Sequence, residues 1–275
     1  MSKVRSAIVW SAIDTFWRQG MAFAISVVLA RLLTPEDFGT VALLSLFIAL
    51  AGVIANAGFT QALIQKKDTT HTDESTVFWF NIGMGFLLAL LLCAAGPVFA
   101  RVYDIPALEP LTYVMALNVF LGAAGSIQQT MMTKNLAFRT LTRIGVISTL
   151  LSGAVAIYLA WTGAGLWALA AQAVVVNVAT VVMLWLFNSW RPAMTFSMAS
   201  FRSLFSFGGY MFAAAIVDTT YKRGNTLLIG TLYGVRELGF YQRALRSQEL
   251  PVQLLTQLVS RVMFPVMSSV NDDHD

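Results

Sequence analysis

The octapeptide Ile13-Asp14-Thr15-Phe16-Trp17-Arg18-Gln19-Gly20 sets a carboxylate and a guanidinium four residues apart, inside an otherwise mostly apolar stretch from Ala7 to Leu33. On a helix this spacing stacks the two groups on one face, acid nearer the N-terminus, which is the favourable order for an ion pair. Asp218 and Lys222 repeat the arrangement. Arg223 and Arg243 have no such local partner, and Arg246 has only Glu249, three residues further on. Ionisable groups within hydrocarbon are costly and face a bundle interior or a watery cavity. The chemistry open to them is electrostatic. Each Asp–cation pair can neutralise itself and fix helix packing, line a cavity, or do both. Arg18, Lys222, Arg223 and Arg246 are the candidate cations for holding an anionic ligand. Asp14, Asp218 and Glu249 are the paired acids open to ion coupling.

Covalent chemistry has less support. His71 with Asp68, Asp73 and Glu74 is the one acidic/histidine cluster, and its spacing suits no standard metal motif. A solvated loop is expected there. The one cysteine, Cys93, lies in an apolar run and can make neither an intrachain disulfide nor a zinc site. No cofactor-binding pattern and no metal site are expected. The glycines of Gly83-Met84-Gly85 and Gly122-Ala123-Ala124-Gly125 have no strand–loop–helix context, so helix packing is their expected role.

Composition supplies the setting for these charges. Of 275 residues, 57% are hydrophobic and 12% charged, against about 25% charged in a soluble domain. A net charge of +4 is spread singly between apolar runs, not gathered in the dense basic face that nucleic acid requires; no nucleic-acid partner is expected. Eight helical spans are predicted, at about 7–33, 38–64, 76–99, 106–133, 143–161, 165–187, 203–232 and 238–269. The fold class is all-α, a polytopic membrane bundle. Residues 1–187 form a six-helix lobe, 188–202 a cytoplasmic linker, and 203–275 the first two helices of a second lobe. With the N-terminus inside, Lys3, Arg5, Lys66, Lys67, Lys134, Arg139, Arg143, Arg191 and Arg202 lie at cytoplasmic ends, against Arg31, Arg101 and Arg236 opposite. That bias sets the orientation.

The second lobe is a repeat of the first. Val217-Asp218-Thr219-Thr220-Tyr221-Lys222-Arg223-Gly224 matches 13–20 in residue type at seven of eight positions, offset by 204 residues. Arg236-Glu237-Leu238-Gly239 matches Glu36-Asp37-Phe38-Gly39, offset by 200. Six spans separate the copies, so both run in the same direction, as in a parallel transporter repeat. A full second unit would need four more spans, so the chain reads as the N-terminal part of a longer transporter or as a short, inactive product.

The segments RLLTPEDFGTVAL (31–43), GFTQALIQKKD (58–68), STVFWFNIGMG (75–85), NLAFRTLTRIGVIS (135–148), GAGLWALAAQ (163–172), IGTLYGVRELGFYQRA (229–244) and FPVMS (264–268), in this order and spacing, resemble the polysaccharide-transporter branch of the multidrug/oligosaccharidyl-lipid/polysaccharide exporter superfamily. The resemblance runs along essentially the whole chain. It implies a two-lobed bundle in a bacterial inner membrane. It also implies alternating-access transfer of an undecaprenyl-diphosphate-linked sugar unit to the periplasmic leaflet, for lipopolysaccharide or exopolysaccharide synthesis. Lipid-linked oligosaccharide, membrane lipids and other polysaccharide assembly proteins are the implied partners, and H+ or Na+ the implied coupling ion in some members. Fixed cations such as Arg18, Lys222, Arg223 and Arg246 would replace water around the diphosphate.

A drug or cation exporter of the same superfamily is the alternative cargo class, but it calls for unpaired acids, whereas Asp14 and Asp218 each have a cation one turn away. A membrane glycan enzyme would need a sizeable polar loop; the longest here lie near 65–75 and 188–202.

Overall fold

The computed structural model describes residues 20–66 and 68–248. Ten helices are described: α1 (Gly20–Leu32), α2 (Pro35–Leu43), α3 (Ser45–Asn56), α4 (Phe59–Gln65), α5 (His71–Val102), α6 (Leu108–Lys134), α7 (Phe138–Trp161), α8 (Leu166–Phe187), α9 (Met198–Leu232) and α10 (235–248). Six stretches are long and apolar enough to cross a bilayer, counting α2 and α3 as one. The first and eighth expected spans are described only in part, as α1 and α10. The architecture is all-helical, because in lipid each backbone amide must be satisfied within its own segment.

Local chemistry sets the helix starts. Thr34 caps α2 and forms a reciprocal capping box with Asp37, and Pro35 fills the first helical position, where no N–H is needed. Thr70 and Asp73 form the same box at α5. Ser197 accepts from the Ser200 amide at 3.2 Å and starts α9 at Met198. That is five residues before the apolar run that placed the expected boundary at 203.

The second span is not one helix. It bends at Leu44 and breaks at Ala57 and Gly58, with φ of 42° and 74°. The reason is a neighbour. A Cβ on Gly58 would lie 2.4 Å from the Gly208 carbonyl oxygen, so α9 crosses here backbone to backbone. Phe59, fully buried, then packs with Phe80, Phe201 and Phe205 around the crossing.

Among the described helices α5 packs on α6, α6 on α8, and α7 on α8. Gly85 meets Ala123 and Gly125 meets Val181 at distances that admit no larger residue without movement, whereas Gly83 faces open space. Gly153 on α7 receives Ile25 of α1. Small residues here do what membrane helices need of them, since lipid provides no hydrophobic drive between helices. The segment 188–197 between α8 and α9 is extended and tied down. Ser75 accepts from the Ala193 amide, Thr76 from the Ser197 amide, and the Trp79 indole donates to the Ala193 carbonyl, all within 3.0 Å.

Two glycines of the second span and its neighbour separate conformation from packing. Gly58→Ala should destabilise the protein by about 1–2 kcal/mol from the left-handed backbone alone, with the clash at Gly208 in addition. Gly52→Ala, in α3 with nothing near its Cβ position, should stabilise by about 0.5–1 kcal/mol. Thermal unfolding of the purified variants in one detergent checks the pair.

Candidate functional site

Between the first lobe and α10 lies an open cavity of about 400 Å³. Ala22, Phe23 and Ser26 of α1, Val41 of α2, Thr149 and Ser152 of α7, Leu169, Gln172, Ala173 and Val176 of α8, and Arg246 of α10 line it. Hydroxyls, one carboxamide and one guanidinium are its polar groups. No acidic side chain is among the described lining residues.

The cation is positioned by an aromatic ring. Phe38 is buried at the first turns of α2, and the guanidinium carbons of Arg243 and Arg246 lie 4.8 and 5.6 Å from its centroid. A ring face attracts a cation without neutralising it. Arg243 also donates through Nη2 to the Leu33 carbonyl at 2.6 Å, satisfying an acceptor at the end of α1, while its buried Nε has no partner among the described residues. Arg243 thus holds α10 against α1 and α2, and Arg246, one turn further, faces the cavity.

The other candidate residues fall elsewhere. Lys222 and Asp218 pair at 2.8 Å on an exposed face of α9 and leave little net field. Arg223 is exposed beside them and does not line the described cavity. Asp14, Arg18 and Glu249 lie outside the described residues. Arg246 is therefore the candidate cation that this cavity includes. Arg243 has the closer structural role, and its sequence signal was only an arginine without a local partner; its acceptor is 210 positions away.

Polar residues within the spans form interhelical ties. Asn81 donates to Ser126 at 2.9 Å, Asn177 to the Asn118 side chain at 2.5 Å, and Asn188 to Gln128 at 2.7 Å. The cluster near His71 is not the solvated loop expected of it. Asp73 is buried and accepts from Lys66 at 3.0 Å, Glu74 accepts from the Trp190 indole at 2.6 Å, and a ring nitrogen of His71 lies 3.0 Å from the Arg191 carbonyl oxygen. The last two contacts tie the start of α5 to the 188–197 segment. Among the described residues no group of side chains is placed to hold a metal ion.

A family model described as "Polysaccharide biosynthesis protein" matches residues 28–275. The chain is 29% identical to the teichuronic acid biosynthesis protein TuaB of Bacillus subtilis, over 97% of this chain and 56% of that protein. It is 28% identical to the lipopolysaccharide biosynthesis protein WzxC of Escherichia coli, over 98% and 56% respectively. It is 26% identical to the succinoglycan biosynthesis transport protein ExoT of Rhizobium meliloti, over 97% and 54%. The chain thus spans about half the length of these relatives. No solved structure matches it significantly. With six bilayer-length helices among the described residues, it is a multi-pass membrane chain.

Arg243→Met keeps the length of the side chain and removes the fork. The Leu33 carbonyl then loses its donor, and stability should fall by about 1–3 kcal/mol. Arg243→Lys should recover only part of this, because an ammonium lacks the planar donor set. Denaturation midpoints of the two variants in detergent provide the measurement.

Proposed function

Because the chain belongs to the polysaccharide biosynthesis protein family, we propose that it supplies the first lobe and the start of the second in a carrier for lipid-linked oligosaccharide. The cargo is of the undecaprenyl-diphosphate class. It moves from the cytoplasmic to the periplasmic leaflet of the bacterial inner membrane by alternating access, with the N-terminus of the carrier in the cytoplasm. The observation that carries this reading is the cavity between the repeats, whose described lining has a cation and no acid.

The physical task explains that lining. A diphosphate with its sugars cannot cross hydrocarbon without losing its hydration. A wet cavity with fixed donors substitutes for water along the route. Arg246 would offer paired N–H groups to phosphate oxygens, and the ring of Phe38 would hold the guanidinium in place between rounds. Ser26, Thr149, Ser152 and Gln172 suit sugar hydroxyls. Arg18 and Arg223 would extend the positive path along the first helix of each repeat, and Lys222 would join it only when released from Asp218. Asp14, Asp218 and Glu249 would be the groups able to answer a coupling ion. A cation exporter fits less well, since the described lining offers a cationic cargo no carboxylate.

The test is the double replacement Arg223→Gln with Arg246→Gln in the full-length protein. Translocation of a lipid-linked sugar should fall to background while membrane insertion and detergent stability stay at wild-type levels. Normal translocation by the double variant would rule out these cations as the cargo site.

A further inference from the structure

The two sequence repeats meet each other at matched positions. A Cβ on Gly39 would lie 1.8 Å from the Val235 carbonyl oxygen, and a Cβ on Gly239 would lie 1.8 Å from the Pro35 carbonyl oxygen. Positions 39 and 239, and 35 and 235, are the same positions in the two copies, 200 residues apart. Residue i of one copy meets j of the other while j of the first meets i of the second. This is the signature of a contact about a local two-fold axis. A third matched pair adds to it: Arg236 Nε lies 3.3 Å from Glu36 Oε1. The matched residues Phe38 and Leu238 are both buried.

We infer that this reciprocal contact between the first turns of α2 and α10 is a gate, closed here, at the end of the bundle where α1 and α9 finish. The inference rests on the carrier reading above for what passes through it. With the N-terminus cytoplasmic, that end is the periplasmic one. The gate sits over the cavity: Phe38 of its buried layer carries the two arginines, and Val41, one turn below Phe38, lines the cavity with Arg246.

The composition of the contact suits repeated opening. Neither glycine has a side chain to unthread from the other helix, so the backbones can part without rotamer changes. The ion pair is exposed on both sides, 67% and 46%, so its charges return to water with little penalty. The Gly58–Gly208 crossing near the other end of α9 is differently built. It lies beside the buried Phe59, which packs against Phe201 and Phe205, and near the tied 188–197 segment, which makes it the firm side of the pair.

The experiment uses the full-length protein in intact cells, in a Cys93→Ser background. Glu36→Cys with Arg236→Cys should form a disulfide under mild oxidation. Polysaccharide output should then fall about tenfold and recover on reduction, as expected when one state of a two-state cycle is trapped. Failure to cross-link would overturn the contact, and full output from the cross-linked protein would overturn the gate. A second measurement is independent of the cargo. Ser26→Cys should react with a membrane-impermeant maleimide added from outside. Its rate should rise about tenfold when Gly39→Ala props the contact open. If Gly39→Ala does not accumulate, Glu36→Lys sets like charges face to face and serves the same purpose. Unchanged labelling would overturn the gate even if the carrier reading holds. Accelerated labelling with no effect on any lipid-linked glycan would keep the gate and reject that cargo.

Discussion

Close approach of helix backbones at glycine is the constraint on which this structure depends. In water, two helices are driven together by burying apolar faces. In a bilayer that drive is absent, because lipid is as apolar as leucine. Contact must come from fit, and the fit is tightest where no side chain intervenes. Gly58 with Gly208, and Gly39 with Gly239 across the carbonyls of Val235 and Pro35, bring α9 and α10 onto the first lobe. The break in the second span, the left-handed backbone at Ala57 and Gly58, and the packing of the Phe59 cluster all follow from the first of these crossings. Cavity shape follows from the second, since it fixes where α10 begins and so where Arg246 arrives.

Charge within the bundle is managed in three ways. Lys222 and Asp218 cancel each other on the helix surface. Arg243 is absorbed into structure by a carbonyl and a ring. Arg246 shares the ring but keeps a cavity-facing position. Two guanidiniums on one phenylalanine gather positive charge at the start of α2.

The all-helical class and the membrane-spanning stretches could be read from residues alone. Apolar length carries the spans, and the capping pattern Thr34-Pro35-x-Asp37 marks a helix start on its own. Local patterns stop at contacts between distant segments. The start of α9 lies before its apolar run because Ser197 caps it and the preceding segment is stapled to α5. His71 and Glu74 have a polar neighbourhood in sequence, yet they form ties across more than a hundred residues. Arg243 and Arg223 look alike in sequence, each a cation without a local partner, and they end in different places. The helix ends of α1 and α9, Leu32 and Leu232, align at the 200-residue offset, while the Asp–cation motifs align at 204. Four more residues therefore separate the motif from position 32 than separate its copy from position 232.

The ion pair at the axis has a consequence for ancestry. A two-fold axis within one chain is what remains when two identical subunits become one polypeptide. In the separate subunits, position 36 and its counterpart would be the same residue, so like would face like: glutamate against glutamate, or arginine against arginine. Here Glu36 faces Arg236. Such a pairing is available only once the two halves are encoded separately and can diverge in sign. Once they have, the halves are no longer interchangeable, and the axis survives as geometry after it has been lost as chemistry.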